Sequence, residues 1–290
     1  MARVLVTGAS GQLGQELGIA LLNDGFEVIK ASHDLLDITN DNQVSQVIEQ
    51  LDIDAVINAS AYTAVDASED NKVLAYAVNA QGPENLAKAC LKKNILLIHV
   101  STDYVFGKNT GKPHSVDEET FCEGVYAQTK LDGEELIKAT KCKFLIVRTS
   151  WVFGRFGKNF VKAIFNKAKT DGNLKVVLDE LGNPTPAHAL AQALSRMLKK
   201  ALSADFNAYG IYHYAGSPAL NRFEFAKRIV EISKELNLIN SDVNIEPIKK
   251  ADLNLKAKRP DDSRLDCQKT KEVFDIDMPD WSLYIGKTVC

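Results

Sequence analysis

VLVTGASGQLG, residues 4–14, is the stretch that decides the fold of this chain. An apolar run ends there in Gly8, Gly11 and Gly14, and apolar residues then recur at helical spacing. Glycines at this spacing allow a tight turn, a close approach of the backbone to a pyrophosphate, and close packing of a helix on a strand. The free N–H groups and the positive end of the helix dipole would face the anion. The stretch predicts a strand, a phosphate-binding turn and a helix that bind a dinucleotide.

Composition excludes several classes of protein. The 290 residues are 45% hydrophobic, which is enough for a large core in one or two domains. A net charge of -3 without a Lys/Arg block gives no reason to expect nucleic acid or an acidic membrane surface as a partner. The five cysteines are far apart and lack zinc-site spacing, so we expect reduced thiols and no metal centre. The chain shows neither a leader pattern nor the ~20-residue apolar run of a spanning helix, and we expect a cytoplasmic protein.

Short apolar, β-branched runs alternate with longer stretches of helical periodicity. Near-continuous apolar strands joined by helices are typical of a parallel sheet covered on both faces. The predicted fold class is therefore α/β, a Rossmann-type doubly wound parallel sheet with a smaller C-terminal substrate-binding domain. We predict strands at 4–6, 27–31, 55–59, 95–100, 144–149, 175–178 and 211–214. We predict helices at 12–24, 40–51, 69–93, 124–141, 158–171, 187–203 and 222–237.

The composition of the chain changes near residue 155. Six of the eight prolines follow that point, and the loops lengthen. We predict an NAD(P)-binding domain at 1–155 and a mainly substrate-binding domain at 156–290. Strands near 175–181 and 211–215 are expected to return to the sheet of the first domain.

Tyr126 and Lys130 are four residues apart where a helix is predicted, so they share one helix face about one turn apart. A free tyrosine has a pKa near 10, whereas a general acid or base works best nearer ambient pH. A neighbouring Lys⁺ lowers that pKa, and a shift of about three units corresponds to roughly 4 kcal/mol. This spacing also occurs on exposed helix faces, but downstream of a glycine turn it indicates a catalytic pair.

Ser101, Thr102 and Asp103 follow the fourth predicted strand. Open parallel sheets bind ligands beyond the carboxyl ends of their strands, which would place these residues at the mouth of the site. A hydroxyl there can bond both a substrate oxygen and the tyrosine. The alternative is a polar turn with no ligand.

The glycine turn, the hydroxyl after the fourth strand and Tyr-x-x-x-Lys, in this order, resemble the extended short-chain dehydrogenase/reductase family. Further segments across the chain are similar to its dTDP-4-dehydrorhamnose reductase branch. They are residues 58–66 (NASAYTAVD), 78–80 (VNA), 101–107 (STDYVFG), 148–154 (RTSWVFG), 182–185 (GNPT) and 259–265 (RPDDSRL). The likeness spans nearly the whole chain.

The resemblance implies reduction of the C4 ketone of dTDP-4-dehydro-L-rhamnose to dTDP-L-rhamnose. It implies that Tyr126 donates the proton, that Lys130 holds the nicotinamide ribose and lowers the Tyr126 pKa, and that Thr102 polarises the ketone. The residues expected to bind the cofactor are Gly8, Gly11, Gln12, Leu13, Gly14, Asp37, Ile38, Ala59, Ala61, Tyr62, Thr63, Tyr126 and Lys130. Those expected to face the sugar nucleotide are Thr102, Asp103, Trp151 and Arg259. Trp151 could equally be a core indole. Arg259 could pair with the diphosphate through its planar fork of donors, and the alternative is a surface arginine.

Two segments depart from the family pattern. Residues 120–125 lack the usual Pro-Leu-Asn type approach to the tyrosine. Residues 30–33 (KASH) contain no acid to bond a ribose 2′-OH, so we expect Ser32 and His33 to accept the 2′-phosphate of NADPH, with NADH possible. The family also implies Mg²⁺, for which the sequence shows no ligand cluster.

Two other functions remain open. A sugar-nucleotide dehydratase or epimerase would share the fold, but a dehydratase typically has an Asp-Glu pair after the threonine, and here Asp103 precedes Tyr104. The non-catalytic regulatory beta subunit of methionine adenosyltransferase resembles the same branch and would bind a partner protein. A homodimer is expected only because symmetric dimers are the commonest soluble assembly.

Overall fold

The computed structural model describes residues 1–240 and 242–290. In it the predicted glycine turn follows the first strand, which lies next to one edge strand of a parallel sheet. The strands are β1 (Arg3–Thr7), β2 (Glu27–Ala31), β3 (Ala55–Asn58), β4 (Leu96–Thr102), β5 (Phe144–Thr149), β6 (Val152–Phe153), β7 (Asn173–Val177), β8 (Leu181–Gly182), β9 (Thr185–Pro186), β10 (Gly210–His213), β11 (Leu220–Asn221) and β12 (Asn244–Ile248). The α-helices are α1 (Gln12–Asn23), α2 (Asp41–Gln50), α3 (Val65–Ser68), α4 (Lys72–Tyr76), α5 (Gly82–Lys93), α6 (Val125–Thr140), α7 (Phe160–Thr170), α8 (Ala187–Ala201), α9 (Arg222–Glu235), α10 (Gln268–Phe274) and α11 (Ile285–Val289).

The central sheet has six parallel strands in the order β10-β5-β4-β3-β1-β2. The chain runs outward from β1 in both directions, so the switch point lies between β1 and β3. Ligands of open α/β sheets bind in the crevice beyond the carboxyl ends of the strands at such a point. The glycine turn after β1 and the residues that follow β3 and β4 therefore lie together at the edge formed by the carboxyl ends of the strands.

Alternating side chains of the sheet build a core on each face. Val4 and Val6 point toward α1 and α8, whereas Leu5 points toward α2 and α5. All three are buried, as expected for a doubly wound sheet. The fold class predicted from the sequence is confirmed. Among the helices of the described residues, none combines the length and hydropathy of a membrane span.

The strand predicted near 175–181 does not return to the central sheet, and this part of the prediction is wrong. β7 pairs in parallel with β12, and Leu174 and Val176 pack with α7 and α9 around Phe225. A short apolar run has the same pattern in a two-stranded sheet as in a large one, so periodicity could not separate the two cases. β10, by contrast, lies beside β5 at the edge of the central sheet.

The helix predicted at 69–93 is divided. α4 begins at Lys72, continues through a five-residue π-helical turn at Ala77–Gln81, and passes into α5. Pro83 has no N–H to donate to the preceding turn, and the wider turn lies just before it. The π-helical turn contains Asn79, whose side chain reaches the candidate site.

Candidate active site

The glycine turn is built to accept a phosphate group. Gly8 has a φ of +63°, and a Cβ at Gly14 would lie 2.2 Å from the Gly8 carbonyl oxygen. Gly11 is the N-cap of α1 and offers no side chain, so the first N–H groups of the helix stay free. A Cβ at Gly11 would lie 3.1 Å from the Gly8 carbonyl oxygen, which is a tight contact, so a side chain here would crowd the turn. The residues present fit the pyrophosphate of a dinucleotide.

A cleft of about 550 Å³ lies at this edge of the sheet and extends from the glycine turn to the start of α6. It brings together most of the residues that the sequence selected. Those that line it are Gly11, Gln12, Leu13, Ala59, Ala61, Thr63, Thr102, Asp103, Tyr126, Lys130 and Trp151. Its size is in the usual range of a small-molecule site.

Tyr126 lies in the first turn of α6, with its ring edge-on to that of Tyr104 at 5.4 Å between centroids. Burial raises the pKa of Tyr126 to about 12, and a hydrogen bond with Thr102 acts in the opposite direction. The phenol therefore stays protonated through neutral pH. The expected lowering of this pKa by Lys130 is not found, because burial is the largest effect and the Asp103 charge raises the pKa further.

Lys130 is 1% exposed, one turn further along α6. Its Nζ donates to the Val100 carbonyl oxygen at 2.8 Å and lies 3.2 Å from His99 Nε2. Burial lowers the pKa of Lys130 to about 8, while the Glu134 carboxylate acts to raise it. Sequence reasoning missed His99, although a histidine inside the apolar run 95–100 was the available signal.

Thr102 and Asp103 lie at the carboxyl end of β4 as predicted. The Thr102 hydroxyl donates to Asp103 Oδ1 at 3.1 Å and accepts from the Tyr104 N–H at 3.2 Å. The other Asp103 oxygen accepts from the hydroxyls of Ser150, at 2.9 Å, and Ser263, at 2.6 Å. Burial raises the Asp103 pKa, although these three hydroxyls act to lower it. Asp103 thus orients Thr102 and connects β4 with the loop that contains Ser263.

Trp151 lines the cleft and also packs against the hydrophobic core around Phe225. Its backbone has a φ of 44°, in the left-handed region, and its ring lies against Gly182, where a Cβ would be 2.6 Å away. The Arg222 guanidinium stacks on the same ring, 3.6 Å from the centroid. Arg222 and Lys158 line the cleft and add positive charge, and the sequence argument selected neither.

Comparison with known proteins agrees with this architecture. The family described as RmlD substrate binding domain matches residues 2–289. A dTDP-4-dehydrorhamnose reductase of Aggregatibacter actinomycetemcomitans is 39% identical over 284 residues, which cover 97% of this chain and 96% of that relative. The chain belongs to the dTDP-4-dehydrorhamnose reductase family.

Solved structures named as dTDP-4-dehydrorhamnose reductases have the same fold. That from Clostridium acetobutylicum is 34% identical, with a TM-score of 0.90 over 99% of this chain and 98% of its own. That from Bacillus anthracis, in complex with NADP, is 32% identical, with a TM-score of 0.90 over 99% of each chain. The reductase family therefore accounts for the whole length of the chain and includes a complex with a nicotinamide cofactor.

Other residues proposed for the cofactor do not line the cleft. The Tyr62 N–H donates to Asn79 Oδ1 at 2.8 Å, so the π-helical turn positions this loop. Asp37 Oδ1 accepts from both the N–H and the hydroxyl of Thr39. Ile38 is buried, whereas the His33 side chain is 81% exposed at the end of β2. Gly8 lies in the turn, Gly14 in the first turn of α1, and Ser32 directly after β2. None of these three residues lines the cleft.

Arg259 is already engaged. Its guanidinium pairs with both oxygens of Asp66, at 2.8 and 3.3 Å, and donates to the Ala257 carbonyl oxygen. Any diphosphate would have to compete with that carboxylate. In residues 1–240 and 242–290, no group of three or more His, Cys, Asp or Glu side chains could hold a metal ion. The Mg²⁺ that the resemblance implied therefore has no site to which we assign it.

Proposed function

We propose that this protein reduces the C4 ketone of dTDP-4-dehydro-L-rhamnose to dTDP-L-rhamnose with a reduced nicotinamide cofactor. The observation that carries the proposal is the single cleft that joins the open N-terminus of α1 to Thr102, Tyr126 and Lys130. Membership of the reductase family over residues 2–289 supports this assignment.

Each catalytic side chain has a role that its environment supports. The bound nicotinamide supplies the hydride. Tyr126, which burial keeps protonated, donates its phenolic proton to the oxygen on which negative charge develops. The Thr102 hydroxyl would turn its hydrogen from Asp103 Oδ1 to the same oxygen, and Lys130 would hold the ribose hydroxyls with the N–H groups that Val100 does not use. These contacts strengthen as charge appears, so they lower the barrier more than they stabilise the substrate.

We propose NADPH as the preferred cofactor, with NADH as the alternative. The end of β2 carries Ser32 and the exposed His33, and no carboxylate follows the strand directly to bond a ribose 2′-OH. Asp37 comes later and has its Oδ1 oxygen bonded to Thr39. A hydroxyl and an imidazole suit a 2′-phosphate.

We propose that residues 156–290 supply most of the sugar-nucleotide side of the site. Lys158 and Arg222 lie in this half and line the cleft, next to Trp151. Arg222 also has a carboxylate partner, Glu180 at 3.6 Å, but Asp66 holds Arg259 more closely, at 2.8 Å. Because Arg222 also lines the cleft and lies over the indole, it is the better diphosphate partner. The cytoplasmic location and the homodimer stay predictions.

The test is loss of absorbance of the reduced nicotinamide, with NADPH and NADH compared on dTDP-4-dehydro-L-rhamnose generated in place by upstream enzymes. We expect rapid oxidation, faster with NADPH. A protein that binds NADPH but oxidises neither cofactor with this sugar would contradict the proposal. A tight complex with a methionine adenosyltransferase would then favour the regulatory-subunit alternative.

A further inference from the structure

A row of buried polar side chains crosses the apolar sheet beneath the cleft. Thr7, Asn58 and His99 are neighbours in register, at the ends of β1 and β3 and in the middle of β4. They are 1%, 0% and 0% exposed, and Lys130 of α6 covers the end of the row at 1%. Buried polar groups are costly unless their hydrogen bonds are satisfied, so such a row requires a definite arrangement of donors and acceptors.

The direction of each hydrogen bond follows from one backbone N–H. Ser60 N–H donates to Asn58 Oδ1 at 3.0 Å, and the Thr7 hydroxyl donates to the same oxygen at 2.7 Å. The Asn58 amide nitrogen must then face His99, and it lies 3.0 Å from Nδ1. Because an amide NH₂ only donates, Nδ1 must accept. Flipping the amide would leave the fixed Ser60 N–H facing another donor.

A neutral imidazole carries one proton, so His99 carries it on Nε2, the atom 3.2 Å from Lys130 Nζ. Burial holds the pKa of His99 well below its usual value, so the ring stays neutral. The Nε2–H therefore points at Lys130. A neutral amine can accept this hydrogen bond, whereas an ammonium has no lone pair to do so.

We propose that His99 is a positioning residue that favours the neutral amine form of Lys130, so that Lys130 releases its proton more readily than it would without this ring. This inference rests on the proposed function, in which Tyr126 gives up a proton at each reduction and Lys130, one turn further along α6, holds the cofactor. A group that restores the proton of Tyr126 after each reduction must release its own proton readily. A lysine with an ordinary pKa near 10.4 would do so poorly.

Other charges around Lys130 are already balanced. Glu134, one turn further along α6, would favour the ammonium, but its carboxylate is bonded to Arg148 of β5 and to Ser101. Tyr126 stays neutral, and Asp103 bonds three hydroxyls. His99 is thus the neighbour whose donor is aimed directly at the amine. The burial that lowers the Lys130 pKa to about 8 acts in the same direction.

Two substitutions by uncharged residues test the roles of the two ring nitrogens separately. His99→Gln places an amide near Nε2 and can still donate to Lys130, whereas His99→Asn reaches only the Nδ1 position, near Asn58. NADPH affinity is measured by cofactor fluorescence from about pH 6 to about pH 10, which spans the ordinary lysine value. Below its pKa Lys130 is a cation that holds the ribose, so the affinity should fall as pH rises through about 8. We expect His99→Gln to keep this midpoint and His99→Asn to raise it by about one pH unit.

Nitrogen NMR of the wild-type imidazoles provides a second readout that needs neither cofactor nor activity, with the His99 signals assigned by their loss in the variants. We expect a neutral ring protonated at Nε2 that does not titrate near pH 6.5. A proton on Nδ1 would overturn the inference, as would a His99→Asn variant that melts like the wild type and keeps its midpoint. Failure to bind NADPH at any pH would count against the proposed function instead, and the tautomer would still decide the inference.

Discussion

The ion pair between Glu134 and Arg148 offers a sharp test of how the sheet beneath the site is stabilised. Glu134 and Arg148 are 0% and 3% exposed in their side chains, and the guanidinium donates to both carboxylate oxygens at 2.6 to 3.1 Å. One nitrogen of Arg148, Nη1, already has no partner. In Glu134→Gln the guanidinium would stay buried without a counter-ion and would face an amide that also donates. Removing one partner of a buried pair costs about 3 to 5 kcal/mol.

The adjacent residue supplies a matched control. Glu135 pairs with Lys138 on the exposed face of the same helix, with side chains 57% and 42% exposed. Glu135→Gln should cost no more than about 0.5 kcal/mol, because solvent screens this pair. Urea unfolding followed by circular dichroism gives both free energies of unfolding, and melting should show a drop of roughly 5 to 10 °C for Glu134→Gln alone. If the two variants unfold within about 1 kcal/mol of each other, the buried pair does not stabilise the sheet as argued.

Three further substitutions address the site. Gly14→Ala should abolish measurable NADPH binding in a fluorescence titration, since its Cβ would lie 2.2 Å from the Gly8 carbonyl oxygen; unchanged affinity would contradict the close helix–turn contact. Tyr126→Phe should lose turnover by a factor of at least about 100 while keeping NADPH affinity, because only the proton donor is removed; wild-type turnover would show that another group donates. Gly182→Ala should raise the KM for the sugar nucleotide by displacing the Trp151 ring, from which its Cβ would be 2.6 Å, without changing the NADPH dissociation constant. A shift in both constants would place Trp151 on the cofactor side.

The long elements and the glycine turn were predictable because each carries a local signal. β1 and α1 differ in hydrophobic period, and the turn between them needs glycine for steric reasons. The short elements carry no such signal. β6, β8, β9 and β11 have two residues each, too few for any periodicity.

The site residues divide in the same way. Tyr126 and Lys130 were selected by their spacing on one helix. The partners of Arg259 and Asp103 could not be predicted, because Asp66 is separated from Arg259 by 193 residues and Ser263 from Asp103 by 160. Such pairings depend on how distant loops pack, and nothing in local sequence encodes them.

By itself the sequence determined the order of the long strands and helices, the glycine turn and the Tyr-x-x-x-Lys pair, since these follow from residue types at short spacing. Only the tertiary structure decided that Thr7, Asn58 and His99 form one row that ends at Lys130. That row exists because β1, β3 and β4 are adjacent and in register, although they come from distant parts of the chain. The physical reason is that the spacing of apolar residues is a local property of the sequence. The hydrogen-bond partners, burial and pKa of a side chain depend instead on which strands become neighbours.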